Sequence, residues 1–238
     1  MGNKLAGMFL GLFFVALMAG CVKDVEVKKP AAPINKVALV SFSVSNWAGT
    51  VTGTSGSEEK AAALISSTLG NLLAETEKKL SGIMRVTKVS GFVKSPDYRN
   101  LASKSEHDVL VPKSGGTPLA LFAKDNDELI AAKLSPEVAK KLCASLNVDA
   151  VVVVYSEWAQ AVGHFVPTRR ALAKNVVAVW DRNGDLVFFK RVDEQGEGVL
   201  GGPYGPIVVN EGTIKQWGGA YLNGFDQIAQ EMKTTLKP

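Results

Sequence analysis

Residues 150–155 form an uninterrupted apolar run (AVVVVY), which constrains the fold more than any other segment. A short run of β-branched residues between polar flanks is typical of a strand buried on both faces. Residues 36–44 (KVALVSFSV) have the same character. Because such strands need cover on both sides, the two runs favour one sheet with helices packed against it.

Helical patterns surround these strands. Residues 58–80 have a broad apolar face and follow a serine at capping-box spacing. Ser135 and Pro136 form a helix start before a second apolar stripe that ends at Asn147. Residues 221–236 are amphipathic and predict a terminal helix.

A β-hairpin is predicted between the last two helices. Residues 175–181 and 186–192 are apolar runs joined through Asn183-Gly184, a strong hairpin signal. Residues 91–134 contain several prolines and a Gly-Gly pair, and we interpret them as an irregular insertion. The whole pattern predicts an α/β (α+β) fold in which helices pack on a mixed β-sheet.

The amino terminus has the pattern of a bacterial lipoprotein signal. Residues 1–4 carry one lysine, and residues 5–18 (LAGMFLGLFFVALM) are apolar. This length suits the h-region of a secretory signal and is shorter than the ~20 residues that span a bilayer. A small Ala-Gly pair then precedes Cys21. We expect residues 1–20 to be removed and Cys21 to become the acylated, palmitate-bearing N-terminus; an ordinary signal peptide with an incidental cysteine is the alternative.

The residues after Cys21 indicate where the chain resides. Residue 22 is Val rather than the Asp that marks inner-membrane retention, which favours lipid anchoring at the periplasmic face of the outer membrane. Residues 21–35 are charged, contain two prolines and predict an extended tether. We expect residues 36–238 to form a single periplasmic domain.

Composition excludes several classes of function. The formal net charge is +4 and the basic residues are scattered, so no dense patch indicates nucleic-acid binding. Apart from Cys21 the chain has one cysteine, Cys143, and therefore no disulfide framework. Cys143 lies at helical spacing among apolar residues, which predicts a small buried side chain rather than a nucleophile.

Catalytic and cofactor motifs are weak. Residues 196–202 (GEGVLGG) match G-x-G-x-x-G, but prolines follow at once and no helix opens there, so we expect a mobile loop. Neither G-K-[ST] nor G-x-S-x-G occurs, and the chain has only two histidines. Carboxylates near the hairpin are interpreted as solubilising charges; they are Asp181, Asp185, Asp193, Glu194 and Glu197. The sequence thus predicts no enzyme, no catalytic residue, no metal site and no cofactor.

The order of three segments resembles one group of envelope proteins. "KVALVSF", "VAKKLCASLNVDAVVVVYSEW" and "VVAVWDRNGDLVFFKR" before a terminal helix are similar to the periplasmic αβ domains of bacterial lipoproteins. That group includes the curli-secretion lipoprotein, the penicillin-binding-protein activator lipoprotein, and related exopolysaccharide-export and flagellar-ring lipoproteins. The resemblance covers residues 36–90 and 135–236. It implies a non-catalytic domain that docks on envelope proteins or on copies of itself.

Two stretches are the candidate partner-contact sites, because recognition concentrates on loops held by a rigid scaffold. One is the glycine-rich stretch 195–218, which includes Tyr204 and Trp217. The other is the irregular segment 91–134. His164, Arg169 and Arg170, in the segment AVGHFVPTRR, are further candidate contacts. The alternative for the first stretch is that its apolar residues fold back and complete the core.

Three functions remain after these exclusions. The first is a non-catalytic outer-membrane lipoprotein that serves as an interaction or structural component of an envelope assembly. The second is a ring-forming subunit of a secretion, polysaccharide or curli export complex. The third is an envelope hydrolase, for which the sequence offers no catalytic constellation.

Overall fold

The computed structural model describes residues 26–45, 58–163, 168–202, 207 and 209–236, with side chains in the first helix from residue 63 onward. The strands in chain order are β1 (Lys36–Ser45), β2 (Arg85–Thr87), β3 (Val109–Leu110), β4 (Lys113–Ser114), β5 (Thr117–Pro118), β6 (Ala150–Val162), β7 (Arg169–Asp181) and β8 (Leu186–Gly201). The helices are α1 (Glu58–Ser81), α2 (Pro96–Arg99), α3 (Asn126–Ile130), α4 (Pro136–Leu146) and α5 (Glu211–Thr235), with a 3-10 turn at Val89–Gly91.

The main sheet is mixed, with strand order β2-β1-β6-β7-β8. β2 and β6 are both parallel to β1, whereas β6, β7 and β8 are antiparallel to one another. Leu39 of β1 is directly opposite Val152 of β6, and both side chains are fully buried. The predicted α/β (α+β) fold, a mixed sheet with helices packed on it, is confirmed.

Helices cover both faces of this sheet. Phe42 of β1 stacks on Tyr221 of α5, with ring centroids 5.2 Å apart. The adjacent Ser41 and Ser43 line a crevice with Leu129 of α3. Because successive side chains of a strand point to opposite faces, α5 and α3 lie on opposite sides of the sheet.

β6, β7 and β8 continue beyond the end of β1 and form a three-stranded arm. The strands are 13, 13 and 16 residues long, whereas the sequence predicts only about six or seven residues each. Pairing of β1 with β6 ends at Val44 and Ser156. Beyond that point the buried Trp158 packs on Trp217 of α5, whereas Glu157 on the opposite face is half-buried, because only the side facing α5 is covered.

Residues 91–134 are more ordered than an irregular insertion. Tyr98 of α2 is fully buried, and its hydroxyl donates to the carbonyl of Val40 at 2.6 Å and accepts from the amide of Ala120 at 2.8 Å. The register of β1 against β6 shifts between Leu39 and Ser41, so the Val40 carbonyl is available for this contact. The insertion is therefore attached to the sheet through this phenol and through β3, which pairs with the end of β1.

The tether predicted for residues 21–35 is attached to the domain over its second half. The Lys28 amide donates to the Leu186 carbonyl at 2.8 Å. The amides of Asn35 and Lys36 both donate to Asp149 Oδ2, at 3.0 and 2.9 Å. The chain thus runs along one end of the sheet before β1 begins. The signal peptide 1–20 and Cys21 lie outside the described residues, and among the helices that are described none is long and apolar enough to cross a membrane.

Candidate partner-contact surface

The far end of the arm carries exposed apolar side chains beside arginine. Arg170 of β7 pairs with Ala161 of β6 and with Val199 of β8, so these three side chains share one face of the arm. Val199 is 55% exposed, and Val162 at the end of β6 is 57% exposed. Val162 pairs with Arg169, so it lies on the opposite face of the arm from Val199. Each face of the arm end therefore exposes one large apolar side chain next to an arginine, and both can contribute to a binding surface.

Arg169 is held differently from Arg170. It lies opposite Val162, and its Nε donates to the Gly202 carbonyl at 2.8 Å. Arg170 is exposed and Arg169 is half-buried. The structure therefore brings both predicted arginines to the end of the arm. His164 and Tyr204, the other predicted contacts in these stretches, lie outside the described residues.

Trp217 does not belong to an exposed loop, and its prediction as a partner contact is wrong. It lies on α5, is fully buried and stacks on Trp158 of β6 with centroids 6.4 Å apart. Its Nε1 donates to the Ala159 carbonyl at 2.7 Å. Ile207 is also buried. The alternative prediction, that this stretch completes the core, is the one the structure shows for these two residues.

Residues 196–201 are also not a mobile loop, because they form the end of β8. The glycines allow α5 to pack closely on the strand. A Cβ on Gly198 would lie 2.8 Å from the side-chain amide of Gln216, and one on Gly196 would lie 3.0 Å from the Gln216 carbonyl. The amide of Gly198 donates to Gln216 Oε1 at 2.8 Å. The G-x-G spacing therefore serves helix packing rather than phosphate binding.

The carboxylates around the hairpin have structural contacts. Asp181 is buried and caps the turn. Its Oδ1 accepts hydrogen bonds from the backbone amides of Asn183 and Asp185, each at 2.9 Å. Asp185 pairs with Lys28 at 2.7 Å, and Asp193 pairs with Arg191 at 2.9 Å. Such contacts fix the turn and the strand edge.

Cys143 and His107 also have packing roles. Cys143 is buried, and burial raises the pKa of its thiol to about 12, which opposes formation of a nucleophilic thiolate. His107 contacts the carbonyl of Ala123 through Nε2 at 3.0 Å and the side chain of Asn126 through Nδ1 at 3.3 Å. Over the described ranges no group of three or more His, Cys, Asp or Glu side chains is arranged to hold a metal ion.

A crevice beneath α3 was not foreseen from the sequence. It has room for about 10 Å³, the space of one water molecule. Ser43 and Tyr155 line it, and both are buried. Within the described part of the chain the Ser43 hydroxyl has no hydrogen-bond partner. Burial raises the pKa of Tyr155 to about 12, so its phenol stays neutral. The crevice can hold a bridging water but no substrate-sized molecule.

Comparisons with known proteins give no family assignment. No family model matches the chain, and no curated protein matches it. Among solved structures, the hypothetical protein CT253 from Chlamydia trachomatis is 16% identical, with 85% of this chain and 98% of that chain covered and a TM-score of 0.36. Lipoprotein GNA1162 from Neisseria meningitidis is 13% identical, with 83% and 99% covered and a TM-score of 0.37. At these values neither structure assigns a function to this chain.

Proposed function

We propose that this chain is a non-catalytic outer-membrane lipoprotein, acylated at Cys21, that serves as an interaction or structural component of an envelope assembly. The observation that carries the proposal is the order in which sequence features follow one another at the amino terminus of the chain. An apolar run of signal length ends in Ala-Gly-Cys21, and a short polar stretch leads directly to a folded domain. The lipid then replaces any need for a membrane-spanning helix.

The arm supports the interaction part of the proposal. It extends about 20 Å beyond β1, judged from the six residues of β6 that follow Ser156. Its end carries Val162, Val199 and Arg170 in exposed positions. Arginine is enriched at protein interfaces, and the fully buried core of an interface is more apolar than the rest of the surface. The arm end is therefore the surface that we assign to an envelope partner.

The test of this function combines location with contact. The native protein should fractionate with outer membranes after density separation, and Cys21→Ser should be found in the soluble periplasmic fraction. A photo-crosslinking residue at Val199 should give a discrete adduct in cells. The same residue at Asn223, an exposed position on α5, is the matched control. Inner-membrane fractionation, or equal adducts at both positions, would contradict the proposal.

A ring-forming subunit is the second candidate, and one observation favours it. β8 is the last strand of the sheet, and its outer edge contacts only Lys28 through backbone hydrogen bonds among the described residues. An open edge of this length can accept a strand from a second copy. A ring would elute far above the monomer mass after detergent extraction, whereas elution at the mass of one processed chain plus detergent would exclude it.

A further inference from the structure

The tether leaves the domain at a defined corner. Lys28 is bound there twice, through its amide to the Leu186 carbonyl at 2.8 Å and through Nζ to Asp185 at 2.7 Å. Both partners belong to the β7–β8 hairpin, at the start of β8. Residues that precede Lys28 therefore depart from the turn end, which we define as residues 181–186 together with Lys28 and Lys29.

The number of residues between Cys21 and this corner limits the distance between the corner and the bilayer. Cys21 is seven residues before Lys28. Seven extended residues span at most about 25 Å. The 16 residues of β8 span about 50 Å from the turn end to the arm end. A lipid on Cys21 thus holds the turn end close to the bilayer, while the arm end lies twice as far from the corner as the tether can reach.

Charge distinguishes an upright domain from one that lies on its β8 edge. Residues 192–202, the far half of that edge, contain three acidic residues and no basic one. Asp193 pairs with Arg191, which leaves the charges of Glu194 and Glu197 without a basic residue in this half of the strand. Contact of this edge with anionic lipid is therefore opposed. Charges at the turn end are balanced, since Lys28 pairs with Asp185 and Arg182 pairs with Asp149. The turn end can approach a lipid surface without such repulsion.

We propose that the turn end faces the bilayer and that the arm end points away from it. This orientation rests on the proposed acylation of Cys21. It presents Val162, Val199 and Arg170 to partners in the periplasmic space rather than to proteins embedded at the lipid surface. The surface that faces the membrane is thus the turn end, and its partner is the phospholipid headgroup layer.

Energy transfer to lipid measures this orientation directly. The acylated full-length chain is reconstituted into phosphatidylethanolamine–phosphatidylglycerol vesicles that contain a headgroup-linked acceptor. In a Cys143→Ala background, a donor dye is attached to Glu137→Cys or to Val162→Cys. Glu137 is exposed and adjoins Pro136, whose backbone lies against Gly184 in the turn. We expect transfer at least about twofold greater from residue 137 than from residue 162, given the reach of the tether and the length of the arm.

Two controls separate the possible failures. If the protein does not float with vesicles, or if Cys21→Ser floats equally well, the acylation proposal fails. If the protein floats through Cys21 but residue 162 transfers as well as residue 137, only the orientation is overturned. A linker of about ten Gly and Ser residues inserted before Glu26 should reduce transfer at residue 137. Unchanged transfer would show that the tether does not set the orientation, and would also overturn it.

Discussion

Nδ2 of Asn175 donates to the carbonyl of Tyr221 at 3.1 Å, which joins β7 to α5 inside the core. Oδ1 of the same amide accepts the Ser156 hydroxyl at 2.7 Å. The Tyr221 hydroxyl in turn contacts that of Thr76 on α1 at 2.8 Å. These polar contacts connect the root of the arm to both helices that cover this face. The arm is therefore fixed to the domain at its base.

Replacing Asn175 should loosen this connection. Asn175→Ala leaves a buried hydroxyl and a buried carbonyl without their partner, and we expect the free energy of unfolding to fall by about 2–4 kcal/mol. Urea unfolding followed by circular dichroism measures the change. Asn223→Ala, at an exposed position of α5, is the control and should change stability by less than about 0.5 kcal/mol. Equal effects of the two substitutions would contradict the role of Asn175.

Two glycines of α5 should respond in opposite directions to the same substitution. A Cβ on Gly224 would lie 2.5 Å from Asn175 Nδ2, so Gly224→Ala should destabilise the protein by about 1–3 kcal/mol. Gly219 is exposed and has nothing within 4 Å of its Cβ position. Gly219→Ala should stabilise the helix by about 0.5–1 kcal/mol. Thermal unfolding of both variants checks the signs, and a stabilising Gly224→Ala would show that α5 does not pack on Asn175.

Trp217 should act through stability rather than through recognition. Trp217→Ala empties a fully buried site and removes the hydrogen bond to Ala159, so we expect a loss of about 3–5 kcal/mol. Val199→Ala at the arm end is exposed and should alter stability by less than about 0.5 kcal/mol. Calorimetry of both variants tests the contrast. A stable Trp217→Ala protein would mean that the tryptophan is not part of the core.

Alkaline conditions should unfold the protein through its buried phenols and thiol. Burial raises the pKa of Tyr98 from 10.0 to about 12 and that of Cys143 from 9.0 to about 12, and it also raises the pKa of Tyr221. These groups keep their protons longer in the folded state. Stability is therefore complete below the unfolded pKa values and is lost as pH rises from about 9 towards 12. Urea unfolding at about pH 8 and about pH 11 measures this loss, and equal stability at both would contradict it.

Much of the architecture follows from local sequence. The valine run of β6, the serine and proline that start α4, and the Asn183-Gly184 turn each specify one conformation at short range, and all three are present in the structure. Ser135 Oγ accepts the Val138 amide at 3.3 Å, as an N-cap should. Such elements are predictable because the residues that determine them are neighbours in the chain.

The glycine-rich stretch was mispredicted because its structure depends on distant contacts. Gly196 and Gly198 are in a strand because α5 packs on them. The propensities of neighbouring residues do not predict this contact. The start of α5 is fixed by Asn210 and Thr213, which cap each other at 2.9 and 3.0 Å. Threonine at this position is a weaker sequence signal than the usual glutamate or glutamine. The full length of the arm was missed for the same reason.

Intact-mass spectrometry of the detergent-extracted protein determines whether Cys21 is the lipid-bearing N-terminus. We expect a chain that begins at Cys21 and carries the added mass of a diacylglyceryl group and an amide-linked acyl chain, with every added acyl group located to the N-terminal peptide. A chain that retains residues 1–20, or one that is cleaved without added lipid mass, would show that Cys21 is not a lipid anchor.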